Sequence, residues 1–276
     1  ATFELKSTER IASGVLPTGM DFGPDGALYF ADWIDGWGTK NYGRIWKLED
    51  ESAENWELQQ QTKQELQADY KTIAEDELKS KLYHEDLRVR RKAQFELAKR
   101  GANGAAIFEQ VLADKNNQLA RIHAIVGFSQ LARLDDRKYA DEIVPYLQDE
   151  DAEIRAQAAK WLGDIRYDQV SSQLIQNLHD ENARVRFFAA EALGRAGHKE
   201  AFDGLVNLLE ANNDEDAYIR HAASLALARI NEEEKITQLY THPSKAVRMG
   251  AVIALRRLES PGLSKFLADS EELIVA

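Results

Sequence analysis

The sequence contains no cysteine. This absence excludes disulfides, thiolate metal sites, a cysteine nucleophile and covalent haem attachment within these 276 residues. The sequence also has no excess of positive charge. Its 35 Lys and Arg residues are outnumbered by 47 Asp and Glu residues, and the net charge is −12. An acidic chain without basic blocks is not expected to bind nucleic acid. No apolar run is long enough to span a bilayer, so we expect no membrane span.

Short motifs that mark catalytic or cofactor sites are absent as well. The sequence has no Gly-x-Ser-x-Gly elbow and no glycine-rich phosphate loop. Its six histidines form no pair at i, i+4, and His84, His179 and His242 recur at expected turns between repeats. We therefore predict no catalytic, cofactor-binding or metal-ligating residue in the helical part of the chain.

What the sequence does contain is one local frame repeated six times. Each copy has a short polar residue, an arginine four positions later, an alanine three further on and a large apolar residue four after that. Successive arginines lie 28 to 34 residues apart, which is typical of stacked repeat units. The arginines are Arg90, Arg121, Arg155, Arg186, Arg220 and Arg248.

The frame has the pattern of a capped amphipathic helix. The polar residue is of the type that caps a helix N-terminus, and the apolar positions fall on one helical face. A second helix is predicted after each first one, at about 104–113, 139–148, 168–179, 200–210, 232–240 and 261–268. The predicted fold is mainly α, a right-handed α-solenoid of about six helix pairs over residues 75–276. The arginines could form a ligand-binding row or bond neighbouring units together, and we favour the second role.

These residues resemble a known repeat. Asp151-Ala-Glu-Ile-Arg155, Asn182-Ala-Arg-Val-Arg186 and Asp216-Ala-Tyr-Ile-Arg220 are similar to short HEAT repeats, of the kind also found in phycobilisome-lyase-like proteins. The resemblance implies the solenoid fold. It also implies, more weakly, a bilin-lyase-like activity.

The first 50 residues have a different period. A Gly-Pro-Asp-Gly turn at 23–26 precedes an aromatic strand over 27–33, and 43–48 reads as another strand. Residues 3–11 and 19–22 can supply two more, so residues 1–50 are predicted to form a four-stranded antiparallel β-meander. Residues 51–74 read as a polar linker, predicted to be helical.

The front segment resembles the last propeller blade of a bacterial secreted family. The residues that carry this resemblance are 18–33 and 43–48, together with the first repeat at 82–101. In that family a sorbosone- or glucose-dehydrogenase-like propeller precedes HEAT repeats and often a cytochrome c domain. The resemblance implies a periplasmic or secreted location, and pyrroloquinoline quinone and haem c as cofactors of the parent protein. It places Asp32 and Trp33 at a propeller site. The last repeat is cut short at Val275, and we expect the chain to be a piece of a longer protein.

Two further groups of residues are candidates for function. Four aspartates near the first strands could bind Ca²⁺ or line a propeller funnel: Asp21, Asp25, Asp32 and Asp35. Large aromatic residues stand where other repeats have smaller ones, and they could anchor a partner or fill space between uneven repeats: Trp161, Phe187, Phe188 and Tyr218. We expect a non-catalytic scaffold that binds a protein partner or neighbouring domains. The alternatives are part of a quinone-dependent sugar or alcohol dehydrogenase, or a bilin-lyase-like protein.

Overall fold

The computed structural model describes residues 5–34, 43–49 and 56–276. It divides into two compact units, one up to Glu96 and the other from Leu97 to Ala276, so the division falls inside a helix. The domain boundaries predicted at residues 50 and 74 followed composition and repeat pattern, and they stay a prediction.

The first unit begins with a three-stranded antiparallel sheet in the order β1-β2-β3. The strands are β1 (Pro17–Phe22), β2 (Leu28–Asp32) and β3 (Arg44–Leu48). The antiparallel meander is confirmed, but the strand predicted over 3–11 is wrong for its described part, residues 5–11. That stretch offers a sheet little apolar surface to bury, since its two large apolar residues, Leu5 and Ile11, stay 78% and 67% exposed.

Strand register sorts the sheet side chains into two faces. Met20 lies opposite Phe30, which lies opposite Trp46, and the same face carries the row Phe22, Leu28 and Leu48. The opposite face carries Asp21, Tyr29 and Lys47. The first face therefore carries a row of large apolar side chains that ends at Asp32 and Arg44, and the second face is mixed, since it also carries Ala31 and Ile45.

Three helices complete the first unit: α1 (Trp56–Gln67), α2 (Glu75–Lys81) and α3 (Leu87–Lys99). Arg88 of α3 donates to the carbonyls of Phe22 and Gly23, at 2.9 and 2.6 Å. Lys92 donates to the carbonyl of Leu66 at 2.8 Å. These bonds connect α3 to the end of β1 and to the end of α1.

The second unit is a row of repeats, each with a first helix and a second helical element. After α3, the first helices are α5 (Gln118–Leu134), α6 (Ala152–Asp164), α8 (Ala183–Ala196), α10 (Ala217–Ile230) and α12 (Lys245–Arg257). Each of these five begins directly after its predicted cap, whose side chain accepts from a first-turn backbone N–H. The caps are Asn117, Asp151, Asn182, Asp216 and Ser244.

The second elements lie where they were predicted, but several are not α-helices. The α-helices among them are α4 (Ala102–Ala113), α7 (Ser171–Asn177), α9 (Phe202–Asn212) and α11 (Glu233–Gln238). Residues Arg137–Ala140, Val144–Gln148 and Pro261–Ala268 form 3₁₀ helices, and α13 (Glu272–Val275) ends the chain. Pro145 and Pro261 stand in the first turns of two of these segments, where a missing N–H costs no helical bond, and short helical segments are often 3₁₀.

The core of this unit lies along the first helices. The frame alanines and most of the large apolar residues seven after each arginine are fully buried, as Ala158, Ala189, Leu162 and Leu193 show. Among the described residues, no helix has the length and apolarity that crossing a membrane requires.

Candidate functional site

Four of the six repeat arginines donate to backbone carbonyls of the turn that precedes their own helix. Arg155 donates through Nη1 to the carbonyls of Asp149 and Glu150, at 2.8 and 3.2 Å. Arg90, Arg186 and Arg248 make the same pair of bonds to the two residues before their caps. These carbonyls lie beyond the end of the preceding helix, where no helical N–H reaches them. The guanidinium therefore satisfies acceptors that would otherwise lack a partner.

Three of the arginines also reach the next repeat. Arg121 Nη2 lies 2.5 Å from Asp149, Arg155 Nε lies 2.8 Å from Asp180, and Arg248 Nε lies 2.7 Å from Asp269. All three pairs are largely buried, with side-chain exposures of 12% or less. Each aspartate stands two residues before the next cap, a position that we call the turn residue. Planar fork-to-carboxylate bonding of this kind is stronger than a neutral hydrogen bond.

Each bonded turn residue also orders its own turn. The carboxylates of Asp149, Asp180 and Asp269 accept from the backbone N–H two residues later, at 2.9, 2.8 and 2.9 Å. Burial opposes the ionisation of Asp180, but the bonds from Arg155 and from the Asn182 N–H outweigh it and lower the pKa of Asp180. The pKa of Asp149 is lowered in the same way, with Arg121 as its cation. The stabilising role of the arginine row stays a prediction, and these contacts are its physical basis.

The four predicted aromatic residues lie on the first helices but differ in exposure. Tyr218 is 56% exposed, whereas Trp161, Phe187 and Phe188 are half-buried. Cations cover two of the three half-buried rings: Lys160 Nζ lies 4.6 Å from the Trp161 ring centre, and the Arg184 guanidinium lies 5.0 Å from that of Phe188. Cation–π contacts of this kind stabilise a ring and a charge side by side at a surface.

Charged side chains extend this surface across three neighbouring first helices. Glu153 of α6 pairs with Arg184 of α8 at 2.8 Å, and Asp164 of α6 pairs with Arg195 of α8 at the same distance. Glu191 of α8 pairs with Arg229 of α10 at 3.1 Å. Together with the four aromatic residues and Lys160, these side chains form what we call the aromatic–charged face.

The sequence-based reasoning found the aromatic residues but missed the cations that stack on them. Lys160 directly precedes Trp161 and Arg184 comes four residues before Phe188, so helical spacing could have identified both. The turn aspartates were also missed, although their position two residues before a cap repeats in the sequence.

Asp32, which the propeller resemblance places at a site, makes structural bonds. Its carboxylate accepts from the backbone N–H groups of Leu16 and Ile34 and from Trp46 Nε1, all between 2.9 and 3.0 Å. Trp33 follows it and is 41% exposed. The functional role of this pair stays a prediction.

The other aspartates near the strands do not assemble into a cation site where they are described. Asp25 accepts from Tyr29 Oη and pairs with Lys47, each at 2.9 Å, and the bond from Lys47 lowers its pKa to about 2. Asp35 lies outside the described residues. Among the residues that the structure does describe, no group of three or more His, Asp or Glu side chains is arranged to hold a metal ion.

Solved structures with a similar fold include three with 17 to 19% sequence identity. The CpcE–CpcF complex of phycocyanin lyase from Nostoc sp. PCC7120 matches at 17% identity and a TM-score of 0.46, over 72% of this chain and 82% of its own. The Escherichia coli protein YibA matches at 18% and 0.49, over 80% and 81%. An engineered protein matches at 19% and 0.44, over 67% and 96%. None of these likenesses decides a function.

A search of curated proteins found no match to this chain. These comparisons give no support to the dehydrogenase-like parent protein, so its cofactors and its periplasmic location stay predictions. The family of HEAT repeats, in contrast, matches the chain in overlapping segments at residues 110–180, 140–214, 171–241 and 207–272. These segments cover more than half of the sequence and follow the same helix pairs that the structure shows, and the chain therefore belongs to the HEAT-repeat family.

Proposed function

We propose that this chain is a protein-interaction scaffold that binds its partner through the aromatic–charged face. HEAT repeats favour such a role, because stacked helix pairs present an extended surface on which several repeats can share the contacts with a partner. The observation that carries the proposal is that aromatic rings and charges alternate across α6, α8 and α10. Tyr, Trp and Arg are enriched at the energetically important positions of protein interfaces.

Ion pairs between helices hold this face in one arrangement. Arg184 is fixed by Glu153 and stacks on Phe188, while Trp161 Nε1 donates to Gln157 at 3.0 Å. Side chains that are already ordered lose less conformational entropy when a partner binds. Tyr218 and Leu119, 56% and 52% exposed, occupy equivalent first-turn positions and offer apolar area for contact.

Affinity capture with surface variants tests the proposal. The immobilised chain is incubated with a lysate of the cells that naturally produce it, and the retained proteins are identified by mass spectrometry. Tyr218→Ser combined with Leu119→Ser removes exposed area of the proposed surface without touching the core. Leu267→Ser combined with Leu273→Ser is the matched control, since those residues are 68% and 80% exposed elsewhere.

A protein retained by the wild type and by the control, but lost from the Tyr218/Leu119 variant, is the expected result. Equal retention by all three would place the binding surface elsewhere. If the wild type retains no protein above the resin background, the scaffold role itself is contradicted.

A further inference from the structure

Most neighbouring first helices in the array are joined by polar bonds. Between α5 and α6 these include Arg121 with Asp149 and Gln118 with Asp151, the latter at 2.7 Å. Between α6 and α8 the bonds are Arg155 with Asp180, Glu153 with Arg184 and Asp164 with Arg195. Between α8 and α10 one pair remains, Glu191 with Arg229.

The junction between α10 and α12 has no such bond. Among the described residues, no side-chain hydrogen bond or ion pair joins one of these two helices to the other. At the α8–α10 junction the turn residue, Asp214, pairs with Arg220 of its own repeat, and at the α10–α12 junction the turn residue is His242. Its Nδ1 accepts from the Ser244 N–H at 3.2 Å, so the turn keeps its local bond but offers no carboxylate to Arg220.

Within the described part of the chain, Arg220 makes one side-chain bond. Its Nη1 donates to Asp214 of its own turn at 3.0 Å. Arg155 and Arg248 instead donate from Nη1 to backbone carbonyls of their own turns, and they direct Nε and Nη2 at the next turn residue. Arg220 therefore has the donors of a clamp and lacks the acceptor.

The glycines that bring α6, α8 and α10 close together have no counterpart at this junction. A Cβ placed on Gly163 would lie 2.6 Å from Cα of Ala192, and one on Gly194 would lie 2.6 Å from Cα of Ala226. Helix α8 is thus in close backbone contact with α6 on one side and with α10 on the other. The equivalent residue of α10 is Ala228, which carries a methyl group where α6 and α8 have the hydrogen of glycine.

The second elements of the same two repeats remain connected. Ser260, directly before the segment Pro261–Ala268, donates to Glu233 of α11. Leu209 of α9, from the repeat before these two, packs onto Gly250 of α12. A junction that is bonded on the side of the second elements and unbonded between the first helices can bend about the bonded side.

We propose that the α10–α12 junction is a joint, at which the repeats from α12 onward pivot against those before it. The motion opens and closes the gap between α10 and α12, next to Tyr218 on the aromatic–charged face. A partner that bridges the two helices would then select one angle of the joint.

Distances between spin labels test the joint, and the lack of native cysteines makes labelling specific. Cysteines replace the exposed residues Glu142 and Leu267, on opposite sides of the joint. A control pair at Glu142 and Asn207 lies wholly before it. We expect a broader distance distribution for the first pair than for the control pair.

Substitutions at His242 then test whether the missing carboxylate at this position causes the broad distance distribution. His242→Asp supplies a carboxylate for Arg220, and it should narrow the first distribution to the width of the control and raise the melting temperature. His242→Asn keeps an acceptor for the Ser244 N–H without the charge, and it should leave the distribution broad. Adding Arg220→Gln to His242→Asp should restore the breadth.

Two results would overturn the joint: equal widths for the two label pairs in the wild type, or equal narrowing by the Asp and Asn substitutions. If His242→Asp fails to fold, Ala228→Gly tests the same junction through packing, because closer approach of α12 should also narrow the distribution. No narrowing in that variant would contradict the proposal as well.

Discussion

The guanidinium of Arg155 donates to both carboxylate oxygens of Asp180, from Nε at 2.8 Å and from Nη2 at 3.0 Å. Its remaining nitrogen binds the carbonyls of the turn before its own helix. One side chain thus joins two successive repeats and closes a turn. The same arrangement recurs with Arg248 and Asp269.

Removing the carboxylate of Asp180 should destabilise the array. The guanidinium of Arg155 would stay mostly buried without its anion, and breaking a buried pair in this way costs about 3 kcal/mol. The free energy of unfolding of Asp180→Ala, measured with urea, checks this value. Glu181→Gln is the control, because Glu181 is 90% exposed and 3.9 Å from Arg155, and its loss should leave the urea midpoint unchanged.

The turn aspartates should make stability fall in acid. The bond from Arg248 holds the pKa of the Asp269 carboxyl below its ordinary value. Burial alone would raise the pKa of Asp180, but the bond from Arg155 outweighs burial and the pKa is lowered. A depressed folded pKa contributes stability above the unfolded pKa of about 4, and that stability is lost as pH falls through the folded pKa. Urea midpoints measured from neutral pH downward should decline below about pH 4. The decline should be smaller for Asp180→Asn, and an unchanged decline would contradict the assignment.

A side chain at Gly163 should force α6 and α8 apart. In Gly163→Val the new Cβ would meet Cα of Ala192 at 2.6 Å, and because the Cβ is fixed to one helix backbone and the Cα is part of the other, neither atom can yield alone. Overpacking of this kind costs about 1–3 kcal/mol, measurable as a lower melting temperature. Gly19→Val is the control, since its Cβ would meet nothing within 4 Å, and an equal loss there would argue against the close approach.

The side chain of Asn182, the predicted cap of α8, should contribute to the free energy of unfolding. Asn182 accepts from the Arg184 N–H at 2.9 Å, and Asn182→Ala should lower the free energy of unfolding by about 1 kcal/mol. Asn182→Asp keeps an acceptor at the same place and should preserve stability. A comparable loss in both variants would show that the capping bond is not what stabilises the helix.

Much of the candidate surface could be read from the sequence because it depends on helical spacing. Trp161 and Phe188 fall on the outer side of their helices by their distance from the caps Asp151 and Asn182. Their exposure could not be read in this way. It depends on Lys160 and Arg184, whose side chains fold back over the rings and leave them half-buried.

The sequence alone determined where each first helix begins and which face it buries. Caps, alanines and leucines act within one helix, through hydrogen bonds and periodicity that neighbouring residues set. Only the tertiary structure decided which aspartate each arginine meets, and that no side-chain bond between described residues joins α10 to α12. Those outcomes depend on the distance between helices about 30 residues apart, and stacking fixes that distance.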